Sequence, residues 1–273
     1  MHDTIDLQSI AEAVKAAQDA CHSIELLTSQ PEGFGQAEAY AVAELIHNMR
    51  LQEGWQPVGR KIGFTNPKMW SIYGVQAPIW GFIYDTTTVQ LQEQQYTCQL
   101  GRFAEPRIEP EVVVRFASEP PLTDDPARIL QNIDWIAHGI EIVQSHFPGW
   151  KFQAADTIAD WALHAKLLVG KPIAVNQLGP DVLSDLESFS VSLSCNGQVQ
   201  DEGRGANALG SPLKAVAHLI AVLAKQPDSK PLQAGEIVTT GTLTAALPVQ
   251  PGQRWETTLE GIDLPGISVA FTA

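Results

Sequence analysis

The pattern of apolar and polar positions divides the chain into a helical opening and a strand-rich remainder. Leu7 to Leu27 and Gln36 to Gln52 carry helical patterns, and Gly54 is placed to stop the second. The pattern then changes. "WQPVGRKIGFT" (55–65) predicts a strand. "NPKMW" (66–70) predicts a helix start, with Asn66 as cap and Pro67 in the first helical position. "IWGFIYDTTTVQL" (79–91) predicts the next strand. "RIEPEVVVRF" (107–116) predicts another, its Val112, Val113, Val114 and Phe116 suiting a pleated, half-buried surface.

Further along, "DDPARILQNIDWIAHG" (124–139) predicts a helix between Pro126 and Gly139, with the strand "IEIVQSH" directly after it. "ADTIADWALH" (155–164) predicts a short helix and "AKLLVG" a strand. "SFSVSLSCNGQVQDEGRG" (188–205) alternates, turns at Asn196-Gly197 and alternates again, which spells a hairpin. "SPLKAVAHLIAVLAKQ" (211–226) predicts a helix capped by Ser211 with Pro212 first. "AGEIVTTGTL" and the pair "RWETTLEGI" and "GISVAFT" close the chain as strands. Strands and helices do not alternate regularly, so the expected fold class is α+β rather than a doubly wound parallel sheet. Residues 1–55 are expected as a helical N-terminal section and 56–273 as a β-rich body, the two folded as one unit.

The chain has 273 residues, enough for a full core, and 17 Lys and Arg against 31 Asp and Glu give a net charge of −14. With no basic run, nucleic acid and anionic membranes are not expected partners. An anionic substrate would need positive charge supplied locally. The N-terminus lacks a basic start and an apolar stretch, so no signal peptide is expected. Cys21, Cys98 and Cys195 are far apart without a CxxC, and read as reduced thiols of a cytoplasmic protein. No dinucleotide fingerprint, P-loop, HExxH or GxSxG occurs.

The chemistry sits in the strands. In "RIEPEVVVRF", Arg107, Glu109, Glu111 and Val113 share one face, and Ile108, Pro110, Val112 and Val114 share the other. The two carboxylates lie about 7 Å apart along the strand. Pro110 cannot donate to a ladder, so an edge-like or bulged strand is expected there. In "GIEIVQS", Glu141 points opposite to Ile140 and Ile142. Three carboxylates on apolar strands suit a hard divalent cation, Mg²⁺ or Mn²⁺, which takes oxygen ligands. The spacing alone, an unspecific E-x-E, favours instead a solvated face with Glu109 paired to Arg107 or Arg115. Lys61 sits in an apolar strand, where desolvation lowers a lysine pKa toward acid–base use, unless its ammonium reaches solvent. His138, His146 and His164 are scattered, and each reads as a polar residue with a partner rather than a ligand.

"GRKIGFT", "PRIEPEVV", "GIEIVQS", "ADTIADWA", "EGRGANALGSPL", "GEIVTTGTL" and "LEGI" occur in this order. Together they resemble the 2-hydroxypentadienoate hydratase / 4-oxalocrotonate decarboxylase family of the fumarylacetoacetate hydrolase superfamily, from about Ala11 to Phe271. The resemblance implies a helical section before a mixed β-roll or barrel-like body. It implies Mg²⁺ or Mn²⁺ on Glu109, Glu111 and Glu141, with Lys61 as acid/base or carboxylate-binding group. It places Thr240, Gly241, Thr242 and Gly205 beside the substrate. The implied reaction is hydration of a 2-hydroxy-2,4-dienoate in aromatic catabolism, with decarboxylation of a 4-oxalocrotonate-type acid as the alternative. C–C hydrolysis of an acylpyruvate, and metal or ligand binding without catalysis, rank lower. A homo-oligomer is expected by resemblance. Family hydratases often carry an acid where this chain has Ile79, which leaves the proton donor open. Trp80, Trp70 and Phe64 line a pocket or belong to the core.

Overall fold

The chain opens with two helices, α1 (Leu7–Ala20) and α2 (Gln36–Gln52). They belong to a computed structural model that describes residues 5–31, 33–67, 70–73, 75–226 and 229–273. The first helix is shorter than its pattern suggests. Cys21 takes a left-handed conformation (φ 54°) and caps it, so that the helix ends at Ala20, seven residues before Leu27. The second matches its expected bounds, and the Glu38 side chain closes its first turn by accepting from the Gly35 amide at 3.0 Å.

Fourteen strands follow among the described residues. They are β1 (Pro57–Gly63), β2 (Ile79–Tyr84), β3 (Thr88–Gln90), β4 (Gln95–Gln99), β5 (Arg107–Phe116), β6 (Ile133–Val143) and β7 (His164–Val169). The rest are β8 (Ile173–Ala174), β9 (Ser190–Cys195), β10 (Gln198–Arg204), β11 (Ile237–Thr239), β12 (Leu247–Pro248), β13 (Arg254–Glu260) and β14 (Ser268–Thr272). Between them lie the short helices α3 (Trp70–Tyr73), α4 (Pro126–Leu130), α5 (Ala154–Ala159) and α6 (Val182–Ser188), and the core helix α7 (Pro212–Leu223). Of the "NPKMW" helix start, Lys68 and Met69 lie outside the described residues.

The fold is α+β. A nine-stranded sheet runs β2-β1-β11-β5-β6-β7-β3, with β12 also on β5 and β8 on β6; a five-stranded sheet runs β10-β9-β13-β14-β4. The Asn196-Gly197 hairpin forms as expected between β9 and β10. By length and composition Gly205–Leu223 is apolar enough to cross a membrane, but 56% of that window is buried. Its helix α7 packs Leu213, Val216 and Leu219 on Val112, Val114 and Ile136 of the large sheet. The small sheet covers the same sheet further along, where Leu193, Trp255 and Phe271 meet Ile108, Ile140 and Ile142. The helices α1 and α2 join the body through α5, with Val14, Val42 and Ile46 in one cluster with Ile158, Ile79 and Phe147.

Two expectations fail, for physical reasons. Residues 124–139 are not one helix: α4 ends at Leu130, and β6 begins at Ile133. β6 lies at the centre of the large sheet and is covered on both faces, so it shows no clean alternation to distinguish it from a buried helix. β5 is not an edge strand either. Its neighbour is interrupted instead: β11 pairs with Val113–Arg115 and β12 with Arg107 and Ile108. Pro110 sits in the gap, where its missing amide costs no ladder bond and its carbonyl accepts from the Leu243 amide at 2.9 Å.

Candidate metal centre and active site

The central pair β5–β6 builds the site. Their antiparallel register sets Glu109 directly opposite Glu141. Like charges facing each other across a ladder repel. Two residues along, Glu111 points to the same face. One ligand oxygen from each of Glu109, Glu111 and Glu141 lies within 4.8 Å of the others. Further along this face Val113 joins an apolar plug with Ala137, Leu167 and Ile83. The acids are therefore the polar end of an otherwise apolar interior, not a solvated surface.

Lys61 reaches the cluster from β1, with its Nζ 3.0 Å from Glu141 Oε2. The pair is close but not aligned as a hydrogen bond, and Glu141 Oε2 has no hydrogen-bond partner. Its other oxygen, Oε1, lies 2.6 Å from His164 Nδ1. Glu111 Oε2 accepts from the Gly241 amide at 2.7 Å and, very closely, from the Thr239 hydroxyl. Two carboxylates thus have one oxygen tied to the protein.

The electrostatics follow from burial. Removal from water raises the Glu109 pKa to about 7, opposed by Lys61 and reinforced by Glu141. Burial, with Glu141 and Glu109 adding to it, holds Glu111 well above its ordinary range. Burial also works against the Glu141 carboxylate, but Lys61 and His164 outweigh it and draw its pKa down to about 2. For Lys61 desolvation is the largest single effect, yet the three carboxylates together overcome it and raise the pKa. Neither reading of the strand alone holds: Lys61 is buried instead of reaching solvent, and its pKa is raised instead of lowered. Lys61 keeps its proton.

The donor set fits a divalent cation. Three carboxylates converge beside one ammonium, Glu111 and Glu141 buried and Glu109 half-buried at the edge of a cleft. Buried oxygens of this kind match the hard-cation preference, and Glu141 Oε2 and the Thr65 hydroxyl are buried without hydrogen-bond partners. A cleft opens beside the acids, lined by Lys61, Phe64, Asn66, Glu109, Trp150 and Thr242 among others.

The remaining expected residues distribute as follows. The Thr240 hydroxyl turns away and donates to the Val112 carbonyl at 3.0 Å. Thr242 lines the cleft, its hydroxyl donating to the Thr244 carbonyl at 2.9 Å. Gly205 is not among the lining residues; a Cβ there would lie 1.9 Å from the Leu186 carbonyl oxygen, so it serves a close backbone approach. Phe64 lines the cleft, Trp80 is in the core, and Trp70 donates to the Phe64 carbonyl at 2.8 Å. Ile79 abuts Gly63 at the cleft edge, but its side chain is absorbed in the cluster with Phe34 and Phe147.

His164, read from the sequence only as a polar residue with a partner, has two, Glu141 and Thr87. It follows three consecutive left-handed residues, Trp161 (φ 59°), Ala162 (φ 50°) and Leu163 (φ 64°). Such residues cost roughly 1–2 kcal/mol each. The turn is held by Trp161 Nε1 donating to the Phe82 carbonyl at 2.6 Å and by Arg50 stacked 5.6 Å over the Trp161 ring. Ala162 and Leu163 form part of the cleft wall. Backbone outliers of this kind cluster at functional sites.

The sequence profile described as fumarylacetoacetate (FAA) hydrolase C-terminal matches residues 64–264. The chain belongs to the fumarylacetoacetate hydrolase family. Within it, the chain is 29% identical to 2-keto-4-pentenoate hydratase 1 of Dechloromonas aromatica (strain RCB), over 94% of this chain and 95% of that one. It is 29% identical to the 4-oxalocrotonate decarboxylase of Pseudomonas putida, over 93% of each. The structure of 4-oxalocrotonate decarboxylase from Pseudomonas putida G7, complexed with magnesium and adipate, superposes with a TM-score of 0.87 at 28% identity. That match covers 98% of this chain and 99% of that one. The chain thus shares the family's fold across nearly its whole length.

Proposed function

We propose that the protein is a divalent-metal-dependent lyase that hydrates a 2-hydroxy-2,4-dienoate to a 4-hydroxy-2-oxoalkanoate, as its hydratase relatives' names describe. The observation that carries this reading is the convergence of half-buried Glu109 with buried Glu111 and Glu141, within 4.8 Å of one another and beside Lys61. These three carboxylates would hold Mg²⁺ or Mn²⁺. A divalent cation there supplies Lewis acidity to the carboxylate and 2-oxygen of a 2-oxo acid.

The chain's own groups do the rest. Lys61 carries a proton in the buried site and faces the cleft, placed to pair with the substrate carboxylate or to deliver a proton. The dienol loses its O–H proton and C5 gains one, which gives a 2-oxo-3-enoate. Water then adds its oxygen at C4 and its hydrogen at C3. Phe64, Val143, Trp150 and Leu163 pack the distal carbons and exclude further water. Thr242 presents its polar edge to the cleft, while Thr240, Gly241 and Gly205 shape the backbone behind it. Among the described lining residues Lys61 is the one cation, which favours a dienoate with a neutral distal end.

Decarboxylation of a 4-oxalocrotonate-type acid is the second reading. It is favoured by the fold match to a decarboxylase that holds adipate, a six-carbon dicarboxylate. One experiment separates the two. The protein is incubated with Mg²⁺ and 2-hydroxypenta-2,4-dienoate while the dienol's ultraviolet absorbance is followed, then with 2-oxo-3-hexenedioate while CO₂ is measured. Loss of dienol absorbance supports the hydratase. Release of CO₂ with the dienol untouched reverses the order.

A further inference from the structure

We infer that His164 and Thr87 are positioning residues for Glu141: they tie one of its oxygens to the protein and leave the other for the cation. The inference rests on the reading of Glu141 as a metal ligand.

His164 is fully buried, and both ring nitrogens have partners. Nδ1 is 2.6 Å from Glu141 Oε1, and Nε2 is 2.9 Å from Thr87 Oγ1. A carboxylate oxygen only accepts, so Nδ1 carries a hydrogen. The ring is then either neutral, with Nε2 accepting, or a second cation beside Lys61. Lys61 Nζ already lies 3.0 Å from the same carboxylate. A second buried positive charge there is costly. Turned from the Tyr84 carbonyl to Nε2, the Thr87 hydroxyl would remove the need for it by satisfying a neutral ring with its hydrogen on Nδ1. Thr87 Oγ1 also lies 3.2 Å from the Tyr84 carbonyl, the longer of its two contacts. Thr87 itself is set by the turn between β2 and β3, and His164 by the left-handed turn before β7.

The consequence is a division of labour within one carboxylate. Oε1 is locked by His164. Oε2, which touches Lys61 Nζ at 3.0 Å but makes no aligned hydrogen bond, is the atom left to a cation. Glu111 shows the same division, with Oε2 held by Thr239 and Gly241. Partners that orient a ligand in this way are typically worth about 10- to 100-fold in metal affinity.

Mn²⁺ titration of the metal-stripped protein, read by electron paramagnetic resonance or calorimetry, tests this without any turnover. His164→Leu removes the donor. His164→Asn keeps an N–H where Nδ1 stood, and His164→Gln places its amide where Nε2 stood. Thr87→Val removes the hydroxyl. We expect Mn²⁺ Kd to rise at least tenfold in His164→Leu and His164→Gln, to stay within about threefold of wild type in His164→Asn, and to rise by an intermediate factor in Thr87→Val. If His164→Leu does not fold, the contrast between Asn and Gln carries the test. Equal affinity in every folded variant overturns the positioning role. Wild type that binds no Mn²⁺ overturns instead the metal-site reading beneath it, as does Glu109→Gln binding with wild-type affinity.

Discussion

Lys61 and Glu141 meet at 3.0 Å although their strands are not neighbours: β11 and β5 lie between β1 and β6. Three strand spacings in a flat sheet would hold the two backbones about 14 Å apart, with side chains standing parallel. Contact requires the sheet to curl toward the face that carries both residues. The curl turns scattered strand positions into a single site.

Because both partners are buried, removing either one strands a charge. Lys61→Met and Glu141→Gln should each destabilise the fold by about 3–5 kcal/mol. The double variant should lose less than the sum of the two, since neither charge is then left alone. Urea unfolding of the four proteins at pH 7 measures the cycle. Additive losses would mean that the pair does not interact energetically. The same variants separate their roles, with Mn²⁺ binding lost in Glu141→Gln and retained in Lys61→Met.

The left-handed turn offers a stabilising change. Ala162 holds φ 50°, a region that glycine enters without the steric conflict of a Cβ. Ala162→Gly should therefore raise stability by about 1 kcal/mol. For a chain of this size the melting temperature should rise by about 2–4 °C. A lower melting temperature would mean that the Ala162 methyl, which packs in the cluster with Ile79 and Phe147, matters more than the relief of strain.

Much of the site was legible in the chain because strand geometry is local. Alternation alone places Glu109 and Glu111 on one face, and Glu141 opposite two isoleucines. What alternation cannot supply is register. That Glu109 stands directly across from Glu141 depends on how β5 and β6 slide past each other. β6 itself was half hidden, because its first half follows a true short helix and is buried on both faces. The lysine's surroundings were hidden for a related reason. Burial is visible in the apolar neighbours of Lys61, but the three acids that overrule it arrive from strands about fifty and eighty residues away. His164 was recognisable only as a polar residue needing partners, and those partners, Glu141 and Thr87, lie 23 and 77 residues distant.

Gly241 is where the backbone itself becomes part of the site. It sits at φ 94°, and a Cβ added there would lie 1.8 Å from Thr65 Oγ1. Its amide also holds Glu111 Oε2 at 2.7 Å. Gly241→Ala should cost at least 2 kcal/mol through the forbidden conformation and the clash. It should also weaken Mn²⁺ binding, since Glu111 loses its fixed orientation. Chemical denaturation and Mn²⁺ titration report the two effects separately. Unchanged metal affinity in the folded variant would show that the Thr239 hydroxyl alone suffices to hold Glu111.

Away from the metal centre, His47 makes stability depend on pH. Its ring stacks on Phe82 with centroids 3.8 Å apart, and Nδ1 is 2.8 Å from the Tyr84 hydroxyl. Burial first, then repulsion by Arg60 and Lys230, lowers its pKa from 6.5 to about 4. Between these values the unfolded chain takes up a proton that the folded chain refuses. The contribution is therefore fully present above pH 6.5 and drains away as the pH falls toward 4. Allowing for solvent screening at its partly open side, the loss between pH 7 and 5 is about 1 kcal/mol. His47→Asn keeps an N–H or carbonyl toward Tyr84 but cannot titrate, so it should lose less stability over the same interval. Urea unfolding of both proteins at pH 7 and pH 5 gives the difference directly. Identical pH dependence in the two would assign the acid sensitivity to other groups and show that His47 accepts its proton as readily in the fold as in the open chain.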